Sequence, residues 1–481
     1  MKKIGLFLFT LLLGVSFSLS AKISLPSVIS DNMVLQQKTD AALWGTAEPG
    51  VKVTVRTGWS RNKTVVTADA HTGKWFARVK TPAAGGPYEI KISDGEVLTL
   101  KNVLIGEVWF CSGQSNMEMP MKGYGSQPAK GAAAFIVNAK AATPVRICNI
   151  VRKSSVKVLD VSEGCWEENN PETVSNTSAT AYYFAEALQK AIDVPVGIIV
   201  SCWGGSTIEA WMKRDVIEND FPEFNLGHLD GTRKVRRDNQ DPCVLFNGQV
   251  APLVPYTFRG MIWYQGEANR SRPDQYVRLQ TAYVRMMRDI FDVPDAPFYF
   301  VQIAPYSYDN GRKFHNGYFN EAQQKTLAVI PHSGMAVTCD IGEYGTIHPC
   351  RKQQVGERLA MLALKHDYGM SFIEADSPTY KSVTFKNGKS YVTLNVGKLG
   401  LSPMGADIPG FEVAGSDKVF HPATGRLYRS NNVIEVTCPE VSVPVSVRYC
   451  FRNWSAGGLY NNYGVPAAPF RTDDWPIGEC K

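Results

Sequence analysis

The chain has 481 residues, of which 44% are hydrophobic and 20% charged. That length exceeds one ordinary hydrophobic core, so two or three domains are expected, and the composition excludes a disordered or low-complexity protein. The formal net charge of +6 is scattered rather than striped, and the densest basic run, Arg233–Arg237, is short and reads as a solvated loop, which argues against a nucleic-acid partner.

Lys2 and Lys3 precede an apolar run, Ile4–Phe17, which leads into the small-residue segment Ser18–Ala21. This is the order of a cleavable secretory signal peptide, and the run is short of the roughly 20 residues a membrane span needs. Residues 1–21 are therefore read as a signal peptide cut near Ser20 or Ala21. A secreted or periplasmic protein, not held to a membrane after cleavage, is expected. Without the two lysines the net charge falls to +4. Export permits disulfides. The ten cysteines form no Cys-x-x-Cys pair, so zinc and thioredoxin-like sites are not indicated, and several lie in apolar runs that suit buried thiols.

Residues 22–104 read as a β-sandwich-like domain. Short candidate strands such as Ala42–Trp44, Val51–Val55, Trp75–Val79 and Tyr88–Ile92 are punctuated by Gly, Pro, Asp and Asn. Across residues 105–370 the texture changes to apolar strands alternating with helical patterns. Val108–Cys111, Val196–Ser201, Gly260–Tyr264, Phe298–Ile303 and Met335–Asp340 are the strands. Ser178–Ile192, Asp274–Phe291 and Gln353–His366 are the helices. This alternation predicts a three-layer α/β domain with a mostly parallel sheet and its site at the carboxyl ends of the strands. Residues 371–481 return to β character, with strands expected at Val383–Phe385, Ser390–Leu394, Val433–Cys438 and Val445–Cys450.

Chemistry-bearing residues follow the α/β strands. Cys111 leads into Ser112-Gly113-Gln114-Ser115-Asn116, and Cys202 into Trp203-Gly204-Gly205-Ser206. Tyr264 leads into Gln265-Gly266-Glu267-Ala268-Asn269, and Asp340 into a loop reaching Ile347-His348-Pro349. Loops at the ends of strands of one sheet converge on one edge. Together they supply a hydroxyl, small backbone donors, an amide, carboxylates and an imidazole, the parts of an acyl-transfer site. Each part alone is commonplace, since a serine after a strand is usually a turn residue. The α/β-hydrolase elbow Gly-x-Ser-x-Gly is not met, because Met117 stands where the second glycine belongs. P-loop and His-Glu-x-x-His patterns are also missing, so no cofactor and no metal are expected.

The segments Gly113–Glu118, Trp203–Ser206, Trp263–Asn269 and Ile347–Pro349 resemble the sialate O-acetylesterase family, within the SGNH-hydrolase superfamily. So do Leu25–Gln36 with Trp44-Gly45, Val447–Tyr449 and Pro469–Asp473, so the resemblance spans nearly the whole mature chain. It implies an SGNH-type α/β core flanked by β-rich regions and a serine esterase that deacetylates carbohydrate, O-acetylated sialic acids first of all. It also implies that Ser115 is the nucleophile and His348 the base and then acid, with an oxyanion hole of the Ser115 N–H, the Gly205 N–H and the Gln265 side chain. Acetylxylan or another acetylated glycan is the alternative substrate. A non-catalytic carbohydrate-binding protein on a degenerate core is the alternative of another class.

The acid is open. Many relatives read Asp-Ile-His-Pro, whereas this chain reads Thr346-Ile347-His348-Pro349, and Gly345 stands where other superfamily members have aspartate. Glu267 is the expected acid, Asp340 the alternative, and Glu343 lies between Asp340 and His348. A backbone carbonyl could also orient the imidazole. Arg270 could meet a substrate carboxylate but reads more simply as a surface residue.

Overall fold

The computed structural model describes residues 23–308, 313–428 and 432–478. The expected signal peptide lies outside them. Short strands fill the first part, and their side chains alternate in burial. In Lys74–Lys80, Trp75, Ala77 and Val79 are buried while their neighbours are exposed. The chain then enters β1 (Val97–Gly113), a strand of 17 residues. The first half of β1 pairs antiparallel with Gly85–Ser93 and parallel with Val34–Gln36. The second half pairs with strands of the α/β region. The division expected at residues 104–105 thus runs through one continuous strand. At Gly106, where the handover occurs, a Cβ would lie 2.0 Å from the Pro195 carbonyl oxygen, so that close approach requires glycine.

The strands that join the second half of β1 are β2 (Val145–Asn149), β3 (Trp166–Glu168), β4 (Val196–Cys202), β5 (Gly260–Tyr264), β6 (Phe298–Val301) and β7 (Ser333–Ala336). Their order is β7-β6-β5-β1-β4-β2-β3. All neighbours are parallel except β2 and β3. Every residue of β4 and β5 is buried, as continuous apolar runs in a parallel sheet require.

Five helices matter for the site: α1 (Ser115–Glu118), α2 (Ala179–Ile192), α3 (Pro273–Ile290), α4 (His315–Val329) and α5 (Lys352–His366). The alternation of β1 divides the core. Trp109 and Cys111 pack with Tyr183, Phe184 and Leu188 of α2 and Val355 and Leu359 of α5. Val108 and Phe110 belong with Tyr276, Leu279, Tyr283 and Met287 of α3. Ser178 caps α2, its hydroxyl accepting from the Ala181 N–H at 3.0 Å. Helix α4 had no counterpart among the expected elements. It buries Asn316, Asn320, Gln323 and Thr326 beside Tyr318, Phe319 and Ala322, so polar residues interrupt the apolar period that would mark it in the sequence.

From Thr379 the chain forms a seven-stranded sheet of antiparallel pairs. Its strands Asp407–Ala414 and Phe420–Leu427 were not expected, because Pro409, Gly410, Pro422 and Gly425 interrupt their patterns. Arg448 and Asp473, from two of the resemblance motifs, form a buried ion pair at 2.7 Å. The rings of Phe420, Phe314 and Phe451 surround that guanidinium. These motif residues hold the C-terminal region together. None of the nine described cysteines is in a disulfide.

Candidate active site

Gly113 ends β1 with a φ of 146°. A Cβ there would sit 2.2 Å from the Tyr264 carbonyl oxygen, so the turn into α1 is open only to glycine. The next residue stitches this turn to the loop after β5. The Gln114 N–H donates to the Tyr264 carbonyl (3.0 Å), and Gln114 Oε1 accepts from the N–H groups of Gly266 and Ala268, each at 3.2 Å. Ser115 is the first residue of α1 and half-buried. Its N–H has no acceptor among the described residues, as expected for the first turn of a helix.

The turn after β4 lies against this serine. A Cβ on Gly204 would be 3.3 Å from Ser115 Cβ. The Gly204 N–H is spent on Glu118 Oε2 at 2.9 Å, and Glu118 Oε1 accepts from Arg152 at 2.5 Å. Asn239 and Gln240 fix the turn by donating to the carbonyls of Gly204 and Gly205, at 2.7 and 2.8 Å. The Gly205 N–H, in contrast, has no acceptor among the described residues. Two unspent backbone donors, on Ser115 and Gly205, therefore lie on adjoining turns.

His348 is brought to the same place by a ring contact with Tyr124, at 5.3 Å between centroids. The Tyr124 hydroxyl donates to the Ser115 carbonyl at 3.1 Å. Imidazole Nδ1 lies 2.7 Å from Gln127 Oε1. An amide oxygen only accepts, so Nδ1 carries the proton and Nε2 keeps its lone pair. Burial, reinforced by the nearby Lys352 charge, pushes the imidazole down to a pKa of about 4.

The carboxylates are elsewhere. Glu267 is not on the imidazole: its Oε1 accepts from Asn116 Nδ2 at 2.6 Å, and its Oε2 is buried with no hydrogen-bond partner. Burial raises its pKa. Asp340 is committed to Arg358 through two bonds of 2.8 and 2.6 Å. Glu343 accepts from the Cys350 N–H at 2.6 Å. Gln265 is fully buried, and its amide protons go to the Ser206 carbonyl (3.0 Å) and Asn269 Oδ1 (2.7 Å). Its Oε1 accepts from the Tyr276 hydroxyl at 3.0 Å. Gln265 therefore braces the loops after β4 and β5 and directs no proton at Ser115. Arg270 lies over the Tyr308 ring at 3.9 Å. Among the described residues no group of three or more His, Cys, Asp or Glu side chains is placed to hold a metal ion.

Sequence reasoning missed Gln127 and Lys352. Gln127 lies in an irregular stretch with no motif around it. Lys352 opens α5, where a lysine ordinarily reads as a solvated end, yet it is fully buried.

A strand-end serine beside two unspent N–H groups, with an imidazole that keeps one nitrogen free, is the equipment of an acyl-transfer hydrolase. Residues 105–365 match the family model described as carbohydrate esterase, sialic acid-specific acetylesterase. The chain is 28% identical to human sialate O-acetylesterase over 406 residues, which cover 76% of this chain and 75% of the relative. It is 25% identical to the sialate O-acetylesterase of Mus musculus, covering 92% and 93% of the two chains. The crystal structure of a carbohydrate acetylesterase from Xanthomonas citri superposes with a TM-score of 0.83 at 32% identity, covering 94% of this chain and 100% of that one. The chain belongs to the sialic acid-specific acetylesterase family of carbohydrate esterases. It is a carboxylic ester hydrolase, and its reaction class is O-deacetylation of carbohydrate.

Proposed function

We propose that this protein is an exported serine esterase that removes O-acetyl groups from sialic acids through an acetyl-enzyme on an SGNH-type three-layer core. The names of its relatives support the substrate. The observation that carries the mechanism is the set of unspent groups around Ser115: two backbone N–H donors and an imidazole with a free nitrogen.

Ser115 Oγ attacks the acetyl carbonyl as His348 Nε2 takes its proton. The tetrahedral oxyanion lies between the N–H groups of Ser115 and Gly205. Its collapse breaks the ester bond, and the imidazolium returns the proton to the departing sugar oxygen. Water, deprotonated by the same nitrogen, then releases acetate and restores the serine. Gln127 takes the orienting place on Nδ1 that a carboxylate has in a Ser-His-Asp triad. An amide adds no negative charge there, so the imidazole stays a weak base. Removing one donor from an oxyanion hole costs about 2.7–4 kcal/mol of transition-state stabilisation, so two backbone donors are a large part of the catalysis.

The test is acetate release from O-acetylated sialic acid against acetylated xylan, by the wild type, Ser115→Ala and His348→Ala. Preference for the sialic acid with loss of activity in both variants is expected. Full activity in either variant overturns the mechanism, and preference for xylan overturns the substrate. A carbohydrate-binding protein without catalysis would release acetate from neither, and its Ser115 would not react with a serine-directed phosphonate.

A further inference from the structure

One buried charged group near the site has no part in the steps above. Lys352 is fully buried at the first position of α5, where the positive end of the helix dipole disfavours a cation. Its Nζ donates to Asn116 Oδ1 at 2.5 Å and stands 5.4 Å from the centre of the Tyr264 ring. The other end of the Asn116 amide donates to Glu267 Oε1 (2.6 Å) and to the Ile347 carbonyl (3.0 Å). The residue after the nucleophile, the residue before the histidine, the loop after β5 and the start of α5 thus meet at one amide. The Thr180 hydroxyl, from α2, also holds the Asn116 carbonyl at 3.2 Å.

We propose that Lys352 is a positioning residue for catalysis: through Asn116 it ties the serine turn to the histidine loop. The proposal rests on the reading of Ser115 and His348 as nucleophile and base. The groups around the lysine are consistent with a tie rather than a proton donor. Glu267, from the loop after β5, faces it across Asn116, and Glu343 and Cys350 act on it from the loop before α5. The two carboxylates only partly offset burial, which brings the Lys352 pKa down to about 7. At the imidazole the groups in contact are Tyr124 and Gln127, and Lys352 is the charge that acts on it. Removing the lysine leaves Asn116 Oδ1 without its donor and lifts a cation from the surroundings of His348.

The experiment is the pH dependence of kcat/KM for p-nitrophenyl acetate, with the rate of phosphonate labelling of Ser115, in the wild type, Lys352→Met and Asn116→Ala. In the wild type the acid limb is expected near pH 4. Lys352→Met is expected to move it upward, since the lysine charge adds to burial in lowering the imidazole pKa, and to slow labelling at pH 8 by at least tenfold. Asn116→Ala, which keeps the charge, is expected to slow labelling without moving the limb. A folded Lys352→Met enzyme with an unmoved limb and unchanged labelling overturns the proposal. Should both variants fail to fold, lysine side-chain NMR of the wild type decides: one lysine titrating well below pH 9 supports the buried charge, and a full set titrating near 10.5 overturns it. A wild type that neither labels nor hydrolyses the ester overturns the reading of the site itself, which separates the two failures.

Discussion

Replacing Gln127 by glutamate converts the amide on His348 into the carboxylate that the sequence lacks beside it. Oε1 lies 2.7 Å from Nδ1, so a glutamate in the same rotamer accepts the same hydrogen bond and adds a negative charge. A charge of opposite sign at such range raises an imidazole pKa by about 1–3 units, starting here from about 4. The sign follows from the base role. Nε2 must be unprotonated to act, so activity is lost as pH falls through the folded-state pKa. The acid limb of kcat/KM is therefore expected to shift upward by that amount in Gln127→Glu. The plateau near pH 8 should rise, because the imidazole becomes a stronger base and its cation is stabilised. Gln127→Ala removes the bond to the imidazolium, at a cost of about 1.5–3 kcal/mol, or roughly 10- to 150-fold in kcat. Stopped-flow or plate assays with p-nitrophenyl acetate between pH 3 and 9 read both effects. An unmoved limb in Gln127→Glu together with wild-type kcat in Gln127→Ala would refute the assignment of Gln127.

Other outcomes follow from the same contacts. Glu267→Gln keeps an acceptor for Asn116, so kcat at pH 8 is expected to fall less than about tenfold, and a larger loss measured at saturating substrate would return the acid role to Glu267. Asp473→Asn breaks a buried pair with Arg448 and is expected to cost about 3–5 kcal/mol in urea unfolding, with kcat/KM of the remaining folded enzyme unchanged. Gly113→Ala forces a Cβ toward the Tyr264 carbonyl and is expected to cost about 1–3 kcal/mol while slowing phosphonate labelling of Ser115. The lowered His348 pKa also makes acid destabilising: the folded state binds fewer protons than the unfolded chain between pH 6.5 and about 4, so that contribution to stability is full above this window and is lost as pH falls through it. Histidine NMR during acid titration checks the window.

Much of the architecture was written in local pattern. The apolar runs that became β4 and β5, the periodicity of α2, α3 and α5, and the polar turns at the strand ends are properties of neighbouring residues, and parallel pairing follows from their alternation. Helix α4 escaped because buried amides and a hydroxyl share its inner face with Tyr318, Phe319 and Ala322, which breaks up the apolar stripe. The candidate site divides in the same way. Ser115, Gly205 and His348 stand in motifs anchored to strands. Their partners do not: Gln127 reaches His348 from 221 residues away in sequence, and Asn116 reaches Lys352 across 236.

The sequence by itself determined which turns carry the hydroxyl, the donors and the imidazole, since each follows an apolar strand whose end the local pattern marks. Only the tertiary structure decided where the side chains spend their hydrogen bonds. Glu267 and Gln265 have the right chemistry for an acid and an oxyanion donor, yet their hydrogen bonds go to Asn116, Ser206, Asn269 and Tyr276, and the second Glu267 oxygen is left buried without a partner. The imidazole is left to Gln127, and the buried charge to Lys352, because distances between loops are set by the packed sheet and no single loop encodes them.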